Sequence, residues 1–184
     1  GISQQSISRK LRELEDERYI ERKPSTDGIR VRLTGKAVGE LKGIYFDMKK
    51  LFSPDDMKKS LQGTVTTGLG EGRFYTEIAG YKSQFIELLG INPFPGTLNL
   101  NVAEVEKEEF LFNRKSIYVN GFESKARSYG ALICYPVTIK EIKAAIVVPD
   151  RTMHRSGIIE LISETDIRKE LKLVDGDKVN IECL

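Results

Sequence analysis

The sequence predicts an α+β protein in which a helix–hairpin–helix module precedes a small β-barrel. Apolar residues at helical spacing dominate the first third of the 184-residue chain, and many short alternating segments separated by turns dominate the rest. The charge divides at the same place, because residues 1–60 contain 14 Lys and Arg against 10 Asp and Glu, whereas the remainder contains 15 against 17. We therefore expect two domains, 1–60 and 61–184, with different partners.

The first predicted element is a helix of about four turns. Ile7, Leu11 and Leu14 recur at positions i, i+4 and i+7, so they share one face of a helix. Ser3 or Ser6 can cap its start, because a serine hydroxyl accepts a hydrogen bond from the free N–H groups of the first turn.

A β-hairpin and a second helix are predicted next. Two short strands surround a turn that contains Pro and Asp-Gly, within residues 19–33. Arg30 and Arg32 fall on one face of the second strand, since alternate residues of a strand point the same way. Thr34 can then cap a helix that runs to about Phe52.

Helix, basic hairpin and helix, in this order, resemble the second half of a winged helix-turn-helix domain, whose earlier helices are not in this sequence. The residues that would lie at the start of the recognition helix are Ser3, Gln4, Gln5, Ser6, Ser8, Arg9 and Arg12. Arg30 and Arg32 would contact DNA phosphates from the wing. The alternative is a module used only for packing or dimerisation, since a net charge of +4 is modest for a DNA-binding domain.

The second domain is predicted to consist mainly of strands. The predicted strands span residues 63–67, 73–78, 97–102, 110–112, 116–122, 128–137, 144–148, 158–162 and 178–183. Two helices are expected, at 81–89, where Gly90 ends the helix, and at 165–171, where Ser163 or Thr165 caps it. Many short strands with few helices are typical of a small β-barrel.

The strongest functional signal is a pairing of two segments, the glycine segment at residues 68–73, with the sequence Gly-Leu-Gly-Glu-Gly-Arg, and residues 96–99, with the sequence Gly-Thr-Leu-Asn. Glycine adopts positive φ and lets the backbone approach a ligand, and successive N–H groups form an anion-binding concavity. Thr97 and Asn99 share a strand face and offer two hard oxygens, which suit Mg²⁺ held together with substrate phosphates. This pairing predicts phosphoryl transfer. The segment matches neither the Rossmann nor the Walker A spacing, so a tight β-turn explains its glycines equally well.

Several classes of protein are disfavoured by the composition. No apolar run approaches the ~20 residues of a membrane span, and no signal peptide is visible. Two cysteines, Cys134 and Cys183, do not make a disulfide framework, so we expect a cytoplasmic protein. His154 is the single histidine and lacks a Cys, His or carboxylate cluster of metal-ligand spacing. No serine has the nucleophile-elbow pattern of hydrolases.

Five short strings in order resemble the archaeal CTP-dependent riboflavin kinase family, over about residues 61–184. They are Gly68-Leu69-Gly70-Glu71-Gly72-Arg73, Gly96-Thr97-Leu98-Asn99, Ala145-Ile146-Val147-Val148-Pro149 with Thr152 and His154, Ile158-Ile159-Glu160-Leu161-Ile162, and Asp175-Gly176-Asp177. The resemblance implies a six-stranded cradle-loop (RIFT-related) β-barrel. It also implies transfer of the γ-phosphate of CTP to the 5′-hydroxyl of riboflavin, which gives FMN and CDP.

The resemblance further implies the residues of the site. Those that would bind the nucleotide, CTP or CDP, are Gly68, Leu69, Gly70, Glu71, Gly72, Arg73, Thr165, Asp166, Ile167 and Arg168. Thr97 and Asn99 would bind Mg²⁺, and Thr152 and Glu160 would contact the flavin. Glu160 is also the candidate catalytic base; the alternative is that it only bonds the ribityl hydroxyls.

Three alternative functions stay open at this point. The chain can be a transcription regulator whose barrel senses flavin or nucleotide without catalysis. It can be bifunctional, with FMN altering the DNA affinity of the N-terminal domain. A purely structural barrel is the third alternative, but it leaves the glycine segment without a purpose.

Overall fold

The computed structural model describes residues 3–26, 28–52, 59–68, 71–112, 114–124, 127–150 and 157–184. The chain divides into two compact units, Gly1–Met57 and Lys58–Leu184. No helix in the described ranges is long and apolar enough to cross a membrane.

The N-terminal unit has the predicted order of helix, hairpin and helix. Its elements are α1 (Gln4–Asp16), β1 (Ile20–Ser25), β2 (Gly28–Leu33) and α2 (Gly35–Phe52). Ser3 is the cap of α1, because its hydroxyl accepts a hydrogen bond from the N–H of Ser6 at 3.3 Å. Thr34 caps α2 in the same way, by accepting from the N–H of Ala37 at 3.3 Å. Both caps are residue types that the sequence analysis selected.

The N-terminal unit buries little apolar surface. Ile20, Ala37 and Phe46 are its buried apolar residues in the described part, and α1 contributes none. The guanidinium of Arg22 donates hydrogen bonds to the carboxylate of Glu15, which ties the hairpin to α1. The large apolar side chains of α2 that remain exposed are Val38, Leu41, Ile44, Tyr45, Met48, Leu51 and Phe52.

The C-terminal unit is built of short strands and short helices. Its described strands are β3 (Ser60–Thr66), β4 (Leu98–Asn101), β5 (Ile117–Val119), β6 (Phe122–Ser124), β7 (Arg127–Tyr129), β8 (Leu132–Ile139), β9 (Ile142–Pro149), β10 (Ile158–Ser163) and β11 (Lys178–Cys183). Its described helices are α3 (Glu71–Glu77), α4 (Ala79–Gln84), α5 (Glu104–Leu111) and α6 (Ile167–Glu170). A π-helical turn, Phe85–Leu89, extends α4 up to Gly90, whose φ of 61° ends the helix as predicted.

Six antiparallel strands close into a barrel. The strand order is β11-β3-β4-β10-β9-β8, and β8 pairs again with β11, which leaves no open edge in this ring. The strand β5 extends the sheet beside β8, and β6 and β7 form a separate hairpin. The predicted α+β class with a six-stranded barrel is therefore confirmed.

Two apolar clusters stabilise the barrel unit. The first includes Leu100, Ile146, Leu161 and Ile181, whose side chains are fully or almost fully buried. The second joins the α4 region to the sheet and includes Tyr81, Phe85, Leu89, Cys134 and Ile162. Adjacent residues of β10 contribute to different clusters, Leu161 to the first and Ile162 to the second, because successive side chains of a strand point to opposite faces.

Five local predictions are wrong in whole or in part. The predicted strands 116–122 and 128–137 are each interrupted, because β5 ends at Val119 before β6 begins at Phe122, and β7 ends at Tyr129 before β8 begins at Leu132. Residues 73–78 do not form a strand, because Glu71–Glu77 is helical. The alternating pattern there is overridden by tertiary contacts, which bring Gly72 against Thr97 and bond Thr76 to Gly96. Residues 110–112 lie at the end of helix α5. The cap of α6 is neither Ser163 nor Thr165 but Asp166, whose carboxylate accepts from the N–H of Lys169 at 3.2 Å.

Candidate functional site

The glycine segment lies directly against Thr97 and Asn99. A Cβ atom added to Gly68 would collide with the amide group of Asn99, and one added to Gly72 would collide with the hydroxyl of Thr97. Neither glycine has a positive φ, so the sequence needs glycine here for close approach and not for an unusual backbone. Two motifs whose first residues, Gly68 and Gly96, are 28 positions apart thus form one site. Leu69 and Gly70 lie outside the described residues.

Asn99 carries a buried side-chain oxygen that makes no hydrogen bond to the described residues. The residue is 8% exposed, its amide donates to Thr97 Oγ1 at 3.5 Å, and its Oδ1 is buried with no hydrogen-bond partner in the described structure. A buried acceptor without a partner is costly, and in native proteins it points to a bound ion or water. Hydroxyl and amide oxygens are hard ligands that fit Mg²⁺.

Both candidate metal ligands are neutral. In the described ranges, no group of three or more His, Cys, Asp or Glu residues could hold a metal ion. The oxygens of Thr97 and Asn99 therefore suit a cation that takes much of its coordination from substrate phosphates, as Mg²⁺ usually does.

Glu160 is a direct neighbour of Asn99 across the sheet. The strand β10 pairs Glu160 with Asn99, and β3 pairs Thr66 with the same residue from the other side. Residues directly opposite each other share a face and have Cβ atoms about 4.5–5.5 Å apart. The predicted catalytic carboxylate thus lies one strand away from the predicted metal ligands.

A mainly apolar cleft opens beside this row of residues. Its lining includes Tyr75, Phe85, Val147, Pro149 and Ile158, together with Thr97, Lys107 and Glu160. A cleft of apolar and aromatic side chains with a few polar groups is the usual form of a site for an organic ligand. Thr152, the other predicted flavin contact, and His154 lie outside the described residues.

A second pocket is also lined by Thr97. It brings together the four residues of the second predicted nucleotide contact, Thr165, Asp166, Ile167 and Arg168, with Gly96 and Thr97. The side chain of Asp166 is engaged in capping α6, and the N–H of Thr165 donates to Ser163 Oγ at 3.5 Å. Thr97 lines both pockets, so the two predicted substrates would meet at this residue.

Arg73 lies on the first turn of α3 with its side chain 72% exposed. Its Nε is 3.3 Å from Glu77 Oε2, an ion pair between neighbouring turns. Such exposed pairs contribute little stability, so the guanidinium can move to a phosphate at small cost. The side chain of Glu71, which precedes it in the glycine segment, is not among those described.

Arg168 bonds to the protein itself. Its guanidinium donates to the carbonyl oxygen of Thr66 at 2.6 Å and forms an ion pair with Asp175 at 2.8 Å. The hydroxyl of Thr67 donates to the same carboxylate at 2.7 Å. The Thr67 hydroxyl and the Arg168 guanidinium together hold the pKa of the Asp175 carboxyl below its usual range.

Sequence reasoning missed three site residues, Tyr75, Thr76 and Lys107. Tyr75 and Lys107 line the apolar cleft. The buried hydroxyl of Thr76 bonds to the backbone of Gly72 and to that of Gly96. The signal was hidden because residues 73–78 were expected to be a strand and α5 was not expected at all. Helical spacing would have put Thr76 and Gly72 on one face, at i and i+4.

The predicted DNA-contacting residues lie on the surface of the N-terminal unit. Gln5, Ser6 and Arg9 are exposed near the start of α1, and every residue of β2 is exposed, including Arg30 and Arg32. The pairing of β1 with β2 places Lys23 opposite Arg30. The hairpin therefore presents a small basic cluster, which is interrupted by Glu21. Glu21 lies opposite Arg32 in the strand register.

Comparisons with known proteins identify the family of this chain. The family model CTP-dep_RFKase, whose description reads "Domain of unknown function DUF120", matches residues 65–183. The riboflavin kinase of Methanosarcina barkeri is 44% identical over 184 residues, which is 99% of this chain and 82% of that protein. The riboflavin kinase of Methanosarcina acetivorans is 40% identical and covers 97% of this chain and 76% of its own length. That of Archaeoglobus fulgidus is 41% identical, over 100% of this chain and 79% of its own length.

Proposed function

The chain belongs to the CTP-dependent riboflavin kinase family, and from that premise we propose that it transfers the γ-phosphate of CTP to the 5′-hydroxyl of riboflavin, giving FMN and CDP. The observation that carries this proposal is the buried, unpartnered Oδ1 of Asn99 beside Thr97, directly under Gly68 and Gly72. A cation position next to close-packed backbone suits phosphoryl transfer, which depends chiefly on positioning and on neutralising phosphate charge.

The nucleotide contacts in this proposal come from two segments. The backbone of residues 68–73 approaches the phosphates closely because its glycines carry no side chains, and Arg73 adds a positive charge. Residues 165–168 contribute mainly through their backbone, since the side chains of Asp166 and Arg168 are engaged within the protein. Backbone donors and acceptors there are suited to reading the edge of cytosine, which is our explanation for a preference for CTP.

Thr97 and Asn99 would hold Mg²⁺ through their side-chain oxygens. When bound, the ion would supply charge neutralisation on the β- and γ-phosphate oxygens. Because both protein ligands are neutral, we expect tight metal binding only together with the nucleotide.

The apolar cleft is proposed to bind riboflavin, with Thr152 and Glu160 as its polar contacts. Glu160 neighbours Asn99 and lines the cleft, so it can accept the proton of the attacking 5′-hydroxyl. The alternative is that Glu160 only accepts hydrogen bonds from the ribityl hydroxyls.

Incubation of the protein with riboflavin, Mg²⁺ and either CTP or ATP tests the proposal, with chromatographic detection of FMN. We expect FMN from CTP and little or none from ATP. FMN from ATP alone would overturn the donor assignment. No FMN from either nucleotide, with flavin still bound, would favour a flavin-responsive regulator without catalysis.

Glu160→Gln separates the two roles of the carboxylate. A base role predicts a loss of about 10²–10⁴-fold in turnover with little change in riboflavin affinity. Turnover near that of the wild type would rule out the base role. Glu182→Gln, which changes an exposed carboxylate on β11, is the matched control.

For the N-terminal unit we propose DNA binding through the start of α1 and the basic hairpin, with a domain boundary near residue 60. The support is the exposed cluster of Lys23, Arg30 and Arg32. Replacement of both arginines by alanine should weaken binding to duplex DNA equally for all DNA sequences, because contacts to phosphates do not depend on the base sequence. It should also reduce the salt dependence of binding, because fewer phosphates are neutralised. Unchanged affinity and salt slope would favour a packing or dimerisation role.

A further inference from the structure

Side chains hold the glycine segment at both of its ends through groups that are not assigned above to substrate or metal, since Arg168 is assigned to the nucleotide only through its backbone. We propose that Thr76 and the Arg168–Asp175 pair are positioning residues, which fix the phosphate-binding backbone relative to Thr97 and Asn99. This role rests on the proposed kinase function, because the two anchors would hold the glycine segment of that site at a fixed distance from Thr97 and Asn99.

Thr76 anchors the end of the glycine segment. It is 1% exposed, and its hydroxyl can donate to the carbonyl oxygen of Arg73 at 3.0 Å or of Gly72 at 3.2 Å. The same hydroxyl accepts a hydrogen bond from the N–H of Gly96 at 3.1 Å. Gly96 has a φ of 144° and directly precedes Thr97. A single buried hydroxyl therefore connects the backbone of the glycine segment to Gly96, the residue before the proposed metal ligand Thr97.

Arg168 and Asp175 anchor the start of the glycine segment. The Arg168 guanidinium bonds to the carbonyl oxygen of Thr66, at the end of β3, and Asp175 accepts from the hydroxyl of Thr67. Thr67 directly precedes Gly68. The ion pair between Arg168 and Asp175, at 2.8 Å, links these two contacts to each other.

Strand pairing in the barrel also fixes the position of the glycine segment. The strands β3 and β4 pair Thr66 with Asn99. Because Thr66 lies two residues before Gly68, this pairing fixes the start of the glycine segment relative to the proposed metal ligand. With both ends bonded, the described residues on either side of Leu69 and Gly70 keep their distance to Thr97 and Asn99 before any ligand arrives. Such preorganisation matters because a misplacement of about 1 Å can cost about 10²-fold in rate.

Thr76→Val tests the first anchor, because valine keeps the shape of threonine but neither donates nor accepts a hydrogen bond. We expect the affinity for CDP in the presence of Mg²⁺, measured by calorimetry, to fall about tenfold. The Mg²⁺ concentration for half-maximal turnover should rise by a similar factor, while the KM for riboflavin stays unchanged. Thr76→Ser keeps the hydroxyl and should restore both quantities.

Tyr81→Phe is the matched control. It removes a hydroxyl from a residue that is also 1% exposed, and that hydroxyl donates to the carbonyl oxygen of Gly130 at 2.6 Å in the second apolar cluster. We expect it to lower the unfolding midpoint without changing CDP affinity. Wild-type CDP affinity in Thr76→Val, or a serine variant as weak as the valine variant, would overturn the role of Thr76. A wild-type protein that binds Mg²⁺ and CDP but makes no FMN would instead overturn the proposed function.

Asp175→Ala tests the second anchor without touching a pocket-lining residue. Its carboxylate is half exposed, so we expect little change in the unfolding midpoint and a severalfold loss of CDP affinity. Combined with Thr76→Val, the two losses in binding free energy should add, since the two anchors share no hydrogen-bond partner among the described residues. CDP affinity equal to that of the wild type would remove Asp175 from the proposal.

Discussion

Gly72 illustrates, at the scale of a single residue, why this sequence needs glycine inside a helix. Its backbone is helical, so alanine there would favour helix α3 by roughly 0.5–1 kcal/mol. The Cβ of alanine would nevertheless collide with the Thr97 side chain. Close approach of the helix to Thr97, the proposed metal ligand, thus outweighs helix propensity.

We predict that Gly72→Ala abolishes Mg²⁺-dependent binding of CDP and leaves the barrel folded, because the added methyl group displaces Thr97 from Asn99. Calorimetry with and without Mg²⁺ measures the binding, and circular dichroism measures the fold. Gly43→Ala is the control, since a Cβ at this glycine of α2 meets nothing within 4 Å. Metal-dependent CDP binding equal to that of the wild type would show that Thr97 is not a ligand.

Cys134 gives a second prediction at this scale. Burial raises the pKa of its thiol to about 12, from about 9 in an unfolded chain. The folded state therefore holds a proton that the unfolded state loses as the pH rises above 9, so the stability contributed by this residue is complete below pH 9 and disappears toward pH 12.

Other groups also titrate in this range, and Cys134→Val isolates the contribution of the thiol. We expect the free energy of unfolding of the wild type to fall more steeply between pH 9 and 11 than that of the variant, as measured by urea denaturation. Parallel pH profiles of the two proteins would mean that the thiolate is tolerated in the folded state.

Individual site residues were predictable where chemistry and spacing sufficed. The hard oxygens of Thr97 and Asn99 and the glycines at 68 and 72 were selected from the sequence, and they do lie in contact. Thr76 was not, because a lone threonine carries no signal until tertiary structure brings the N–H of Gly96 to it. Asp175 was selected as part of a turn, whereas its bond to Arg168 depends on the fold.

At the scale of elements, packing decided what local patterns left ambiguous. Residues 73–78 were predicted to form a strand, yet Glu71–Glu77 is a helix whose buried face carries Gly72 and Thr76. The helix α5 had a readable signal, since Glu104 and Glu106 in its first turn suit the positive end of the helix dipole. Strands β9 to β11 were predictable because their apolar runs are bounded by turn residues.

Asp166 allows an element-scale test of the second nucleotide contact. Its carboxylate caps α6, and Asp166→Ala should cost about 0.5–2 kcal/mol in the free energy of unfolding and weaken CDP binding by loosening this turn. Asp166→Asn retains a capping oxygen, so we expect nearly wild-type behaviour in urea denaturation and in CDP titration. If Asn weakens CDP binding as much as Ala while retaining stability, the carboxylate itself contacts the nucleotide.

For the whole molecule, closure of the barrel was the feature that local sequence patterns predicted least. The strand β8 pairs with β5, β9 and β11, and no alternation of side chains along one strand specifies three partners. The six-stranded closure was predictable only through the resemblance to a known family. The division of the chain was visible in charge and element type, because the two halves differ in both.

The distribution of buried residues predicts that the C-terminal unit folds and works by itself. Both apolar clusters, the glycine segment, Thr97, Asn99 and Glu160 lie within residues 58–184, whereas the N-terminal unit buries few apolar side chains. We expect a protein of residues 58–184 to unfold cooperatively and to form FMN at a rate per molecule within about twofold of the full chain. Circular dichroism melts and FMN formation measure the two properties in parallel. A folded but inactive fragment would show that residues 1–57 contribute to catalysis, because the groups of the barrel that are proposed to bind the substrates would all still be present.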